Sequence, residues 1–282
     1  MGDRNAAHWL IAAGALVALA GCGRREAADW RQAQATAPGA QAAAEGYAPP
    51  PRVVSILALP SGGVGLTGAA APDAVVRLRS PDGTILEAHA NADGVWNLDA
   101  PGAGSVRLFG LSQTVGDSVT QGEGYLAVLP PPVVGGMGTA LLLRSGAGAQ
   151  PFGEAQAAPR IVAVDVDSGG GAVVSGLAGA SAPLHVVLDG AKAGEGTADA
   201  KGRFSITLSA SVAPGGHVVT VQTGGQGAEA RAEIAVSPPQ PLTAGPYAGQ
   251  RRDGGWRIDW MTPGGGVQTT YAADAPTREG IE

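Results

Sequence analysis

The feature that most constrains this chain is an internal duplication at a fixed offset. Arg52-Val53-Val54 recurs 108 residues later as Arg160-Ile161-Val162, and Leu66-Thr67-Gly68 as Val174-Ser175-Gly176. Asp93-Gly94-Val95-Trp96 corresponds to Lys201-Gly202-Arg203-Phe204, and Pro130-Pro131 to Pro238-Pro239. Four anchors on one offset define two copies of a single unit, residues 52–132 and 160–239. Whatever one copy folds into, the other must fold into as well.

Within a copy the apolar period is two. In the second, Ile161 to Val166 opens the unit, followed by Ala172 to Leu177 and Leu184 to Leu188. An Asp189-Gly190 turn leads to a segment near Gly194 to Ala198. After the turn Asp199 to Gly202, the run Arg203 to Leu208 alternates cleanly. His217 to Gln222 and Ala228 to Val236 close the copy. About seven short strands with turn signals every eight to twelve residues are the pattern of a β-sandwich. Neither copy carries a capped 3.6-residue period, so the expected fold is all-β, two sandwiches in tandem.

The second copy also resembles a bacterial immunoglobulin-like domain found in cell-envelope proteins, some of which carry LysM modules. The matching residues are V-V-S-G-L-A-G-A-S-A-P-L-H-V-V-L-D-G (Val173 to Gly190), G-T-A-D-A-K-G-R-F-S-I (Gly196 to Ile206) and P-G-G-H-V-V-T-V (Pro214 to Val221). The first copy carries a fainter version in L-T-G-A-A-A-P-D-A-V-V-R-L and A-N-A-D-G-V-W-N-L. The resemblance implies an Ig-like sandwich and says little about activity. No LysM sequence is present.

Outside the two copies the texture changes. Residues 133–159 form a Gly/Ala-rich linker with one apolar run, Ala140 to Leu143, which suits an extra edge strand; a hinge accounts for the rest. The tail, 240–282, contains Gly255-Trp256-Arg257-Ile258-Asp259-Trp260-Met261, a Pro-Gly turn and Val267 to Tyr271. That is the pattern of a β-hairpin with Trp256, Ile258 and Trp260 on one face. Two readings stand for Trp256 and Trp260: they cover a core, or they form an aromatic platform for a glycan or protein partner.

The start of the chain reads as an address. Twelve apolar residues, Trp9 to Ala20, would reach roughly 18 Å as a helix, short of a ~30 Å hydrocarbon layer. They suit the apolar region of a secretory signal. Leu19-Ala20-Gly21-Cys22 follows and resembles the lipobox of bacterial lipoproteins. The resemblance implies a signal peptide over 1–21, lipidation of Cys22 and a membrane anchor of several acyl chains, each buried CH₂ contributing roughly 0.8 kcal/mol. Gly23 rather than Asp follows the cysteine, which by the same resemblance implies the outer membrane, facing the periplasm. Cys22 is the sole cysteine, so an intrachain disulfide is excluded. Residues 22–51, rich in Ala, Gln, Gly and Pro, read as a tether spanning roughly 30 Å as a coil.

Chemistry is sparse. A net charge of −6 argues against nucleic acid as a partner. His89, His185 and His217 sit in or beside predicted strands without the paired spacing of a zinc site. No G-x-S-x-G or Walker-type loop occurs. Asp165, Asp167 and the turn acids Asp93, Asp189 and Asp199 have the right atoms for Ca²⁺, but Asp-Gly turns explain them without a metal. The expectation is therefore a chain with no cofactor and no catalytic site. It would be a membrane-anchored envelope lipoprotein that binds an envelope protein or glycan or acts as a spacer. The alternative is an accessory subunit of a secretion, efflux or polysaccharide-export assembly.

Overall fold

Alternating side chains build the molecule strand by strand. The computed structural model describes residues 48–133, 136–224 and 227–274. Cys22, the signal-like segment, the tether up to residue 47 and residues 275–282 lie outside them. The first copy supplies β1 (Arg52–Ala58), β2 (Val64–Ala69), β3 (Val75–Arg79), β4 (Ile85–His89), β5 (Val95–Ala100), β6 (Arg107–Val115) and β7 (Ser118–Leu129). Two further strands follow, β8 (Thr139–Leu143) and β9 (Gln150–Pro151). The second copy supplies β10 (Arg160–Asp167), β11 (Ala172–Leu177), β12 (Pro183–Leu188), β13 (Ala191–Thr197), β14 (Arg203–Thr207), β15 (Gly215–Thr223) and β16 (Glu229–Val236). The tail adds β17 (Tyr247–Arg252), β18 (Gly255–Met261) and β19 (Val267–Ala273).

These strands form four sheets. In the first sandwich, β1-β2-β5 faces β4-β3-β6-β7-β8-β9. In the second, β14-β11-β10-β19-β18-β17 faces β13-β12-β15-β16. Val64, Leu66, Val76, Leu78, Trp96 and Phe109 are the heart of the first core. Val164, Val174, Leu184, Val186, Phe204 and Val221 are that of the second. The architecture is all-β, in tandem sandwiches.

The offset of 108 recurs in three dimensions. A β-bulge interrupts β1 between Val53 and Ser55, and another interrupts β10 between Ile161 and Ala163. Asn91 Oδ1 accepts the amides of Asp93 and Val95, as Asp199 Oδ1 accepts those of Lys201 and Arg203. Gly94 and Gly202 follow those turns at φ 77° and 78°, a left-handed conformation that suits glycine. Gly68 lies against the Trp96 indole and Gly176 against the Phe204 ring, where any Cβ would overlap the aromatic. A glycine on one strand thus makes room for the aromatic on its neighbour.

Two segments differ from the sequence reading. Within 133–159 the run Ala140 to Leu143 lies in the edge strand β8, as its pattern suited, but the part read as hinge also gives a short further strand, β9, and both extend the first sandwich's larger sheet. Nor is the tail a separate hairpin. It contributes three strands, and β19 pairs with β10 from Ala163↔Ala272 to Asp167↔Gln268. The strand β17 escaped notice because Y-A-G-Q-R-R has no apolar alternation.

A third apolar cluster joins the sandwiches. Leu108, Ala127, Leu129, Leu141 and Leu143 of the first meet Val162, Ala163, Trp256, Ile258 and Trp260 of the second. From Ala48 onward both sandwiches belong to one compact unit. With sheets packed about 10 Å apart, the four layers form a stack with three apolar interlayers.

Candidate functional site

The tail strand β18 is buried on both faces. Trp256, Ile258 and Trp260 do share one face, but that face is the seam between the sandwiches rather than a platform. Trp260 is fully buried, and Tyr125 of the first sandwich meets its ring edge-on at 5.9 Å. Trp256 is 9% exposed, its ring flanked by the Arg251 guanidinium, which Asp274 holds at 2.5 and 2.6 Å. The glycan- or partner-binding role for Trp256 and Trp260 is therefore corrected. Large aromatics gain more from burial, about 2–3 kcal/mol each, than from standing exposed on a hairpin that has a sheet to cover.

The opposite face of β18 presents Arg257 and Asp259, both buried. Arg257 Nε donates to both Asp259 oxygens at 3.1 and 3.2 Å, and the Thr269 hydroxyl donates to Asp259 at 2.5 Å. The guanidinium also donates to the Ser237 hydroxyl, the Ser237 carbonyl and the Pro238 carbonyl. Arg257 thereby pins the segment that carries the chain from β16 across to β17. A buried pair of this kind is tolerated because each guanidinium nitrogen and both carboxylate oxygens have a hydrogen-bond partner.

Asp165 is the second buried charge, on the seam side of β10. Its Oδ2 accepts the Ala149 amide at 2.7 Å, from the loop between β8 and β9. Its Oδ1 accepts the Thr270 hydroxyl and, at 3.3 Å, Gln268 Nε2. Thr270 in turn accepts Trp260 Nε1 at 3.0 Å, so a hydrogen-bonded chain runs from the indole to the carboxylate. Burial pushes the Asp165 pKa up to about 6, against the opposing pull of the Thr270, Ala149 and Gln268 bonds.

The other acids and histidines singled out in the sequence lie in turns and on strands. Asp167 Oδ1 accepts the Gly169 and Gly171 amides, an Asx turn. Asp189 accepts the Val218 amide and pairs with His217 Nδ1 at 2.7 Å, while His217 Nε2 lies 2.7 Å from the Ala213 carbonyl. Both ring nitrogens face acceptors, so the imidazolium satisfies the site. The Asp189 hydrogen bond above all raises the His217 pKa. Asp93 sits in the turn that Asn91 caps, and His89 ends β4. His185 lies 3.9 Å from Glu195 at the surface. Among the described residues, no group of three or more His, Cys, Asp or Glu side chains converges as metal ligands do.

A groove of about 1070 Å³ opens on the second sandwich. It runs between β16 and the turn joining β17 to β18. Ile161, Val164 and Tyr271 form its floor, Ile234 and Val236 its wall. Arg231, Glu233, Arg252 and Asp253 stand around its mouth. Sequence reasoning missed it, because it arises where one sheet has six strands and the facing one four.

No protein-family model matches the chain, and neither does any curated protein. Among solved structures it is similar to the BSP domain of a biofilm associated protein, at 15% identity and a TM-score of 0.24. That match covers 68% of this chain, which spans 30% of the other's length. The central fibronectin-III array of RIM-binding protein matches at 14% identity over 81% of this chain and 97% of that one, TM-score 0.25. A 1.5-MDa bacterial ice-binding adhesin, in a structure concerned with host cell surface retention, matches at 13% identity, TM-score 0.18, covering 78% and 88%. The likeness is confined to strand architecture. The class this fold defines is an all-β protein of two tandem sandwiches.

Proposed function

We propose that this chain is a membrane-anchored, non-catalytic cell-envelope lipoprotein whose fused sandwiches act as a binding or spacer module. The observation that carries this reading is the seam. Trp256, Ile258 and Trp260 are used to join the two sandwiches, and Asp165 and the Arg257–Asp259 pair are engaged in internal bonds that hold the same strands. The chain's strongest polar and aromatic groups thus serve rigidity, which suits a body that presents sheet surfaces at a fixed geometry. Support for the anchor comes from Leu19-Ala20-Gly21-Cys22, and for the periplasmic face of the outer membrane from Gly23.

Fractionation of cells tests the anchor. Cys22→Ser is expected to move the protein from the membrane to the soluble periplasmic fraction; membrane association that survives the substitution would falsify it. The non-catalytic reading falls if purified chain shows a reproducible hydrolase or transferase activity that one polar substitution abolishes.

A further inference from the structure

We infer that the groove beside β16 is a strand-acceptor slot, which takes a short, uncharged, extended segment of a partner protein in antiparallel register with β16. The inference deepens the binding role proposed above and rests on it.

The internal duplication supplies the template. In the first sandwich the edge of β7 is completed by β8, paired from Tyr125↔Leu143 to Leu129↔Thr139. Moving β7 forward by the repeat offset places those positions on Glu233 to Val236, the end of β16, and on Ser237 just beyond it. There, β16 is hydrogen-bonded to β15 alone and ends its sheet. Its other edge presents backbone donors and acceptors to the groove, the arrangement that strand addition exploits. The groove thus occupies the place where the second sandwich has no counterpart of β8.

The surroundings select the occupant. Sheet β14-β11-β10-β19-β18-β17 continues beneath the slot to Trp256 and the turn between β17 and β18, which leaves one strand position above it, beside β16. Around the mouth Arg231 and Arg252 are matched by Glu233 and Asp253, and His217, which also lines the groove, is paired with Asp189, a balance that favours a neutral segment. Alternate residues of that segment would turn inward onto Tyr271, which covers the core holding Ile161 and Val164, as Ala140 of β8 turns into the first core. Of the chain's own segments outside the described residues, 1–21 would leave with the signal peptide under the proposed function, 22–47 has no Val, Leu or Ile, and 275–282 has only Ile281. The complementary occupant is a partner segment like T-A-L-L-L, the sequence of β8 itself.

A fluorescent peptide carrying Thr-Ala-Leu-Leu-Leu between flanking lysines, titrated into full-length Cys22→Ser protein by anisotropy, tests the slot. Saturable one-to-one binding is expected, weakened at least tenfold by Ala273→Trp, which fills the groove, and by Asp at the peptide's second and fourth positions. Hydrogen exchange supplies a reading independent of any variant: peptide should protect amides of 229–236 and leave β1 unchanged. Absence of saturable binding overturns the slot, as does undiminished binding by folded Ala273→Trp or protection appearing elsewhere. Self-association that blocks the peptide would overturn it in favour of a second copy. The titration is blind to membrane anchoring, so failure of the slot and failure of the anchor remain distinguishable.

Discussion

The two sandwiches share one seven-strand plan but are extended on opposite edges. In the first, β8 and β9 continue the sheet beyond β7, and β1 pairs with β2 alone. In the second, β19, β18 and β17 continue the sheet beyond β10, and β16 stays unextended. Equivalent residues therefore meet opposite fates. Val54 and Ser55 beside the β1 bulge are exposed, whereas Val162 and Ala163 beside the β10 bulge are buried in the seam. Leu57 is 69% exposed, and its counterpart Asp165 only 1%. Burial at these positions is decided by what is added to the repeated unit, and at Leu57 and Asp165 hydropathy runs the wrong way.

The largest expected effect lies in the added strands. Trp260→Ala removes the central side chain of the seam and is expected to cost about 3–5 kcal/mol. Because the seam couples the sandwiches, thermal unfolding of the parent chain should follow one cooperative transition, and that of the variant should separate into two. Calorimetry decides it: two resolved transitions in the parent would break the picture of a fused body. Leu57→Ala, at the matching outward edge of the first sandwich, should change stability by less than about 0.5 kcal/mol.

Asp165 sharpens the comparison through pH. Its pKa rises from 3.8 unfolded to about 6 folded, so its protonated form is favoured by folding. That contribution is complete below pH 3.8 and is lost as pH rises through 6, on the order of 3 kcal/mol in all. Asp165→Asn should flatten the stability profile between pH 4 and 7 in denaturant titrations, whereas Leu57→Asp, in the exposed counterpart, should leave the slope unchanged. An equal slope in parent and Asp165→Asn would remove Asp165 as its source.

What was legible in the sequence follows the same division. The repeat, the strand count within each copy, the hairpin of β18 and β19 and the shared face of Trp256, Ile258 and Trp260 could all be read, because each depends on local alternation or on the offset. The destination of that face could not. Trp256 and Trp260 cover Leu108, Leu129 and Leu141 of the other sandwich, a contact set by packing across more than a hundred residues. Asp165 could be read only as an acid with oxygens suited to Ca²⁺, because its donors, Ala149, Gln268 and Thr270, come from two other segments. The groove was invisible for a related reason: it is a strand position left open, and nothing in β16 itself announces that.

The smallest effect tests whether the duplicated turns remain equivalent despite these different surroundings. Asn91 and Asp199 each satisfy two backbone amides from one side-chain oxygen, at 2.8–3.0 Å. Removing such an acceptor costs roughly 1–2 kcal/mol, since the freed amides are left with water alone. Asp199 also holds Arg203 at 2.7 Å, but that ion pair is partly solvated and adds little. Asn91→Ala and Asp199→Ala should therefore destabilise the protein by similar amounts, within about 0.5 kcal/mol of each other. A difference well beyond that, measured by chemical denaturation at neutral pH, would mean that the added strands reach into the turns of one sandwich, and that the two copies have diverged further than their backbones suggest.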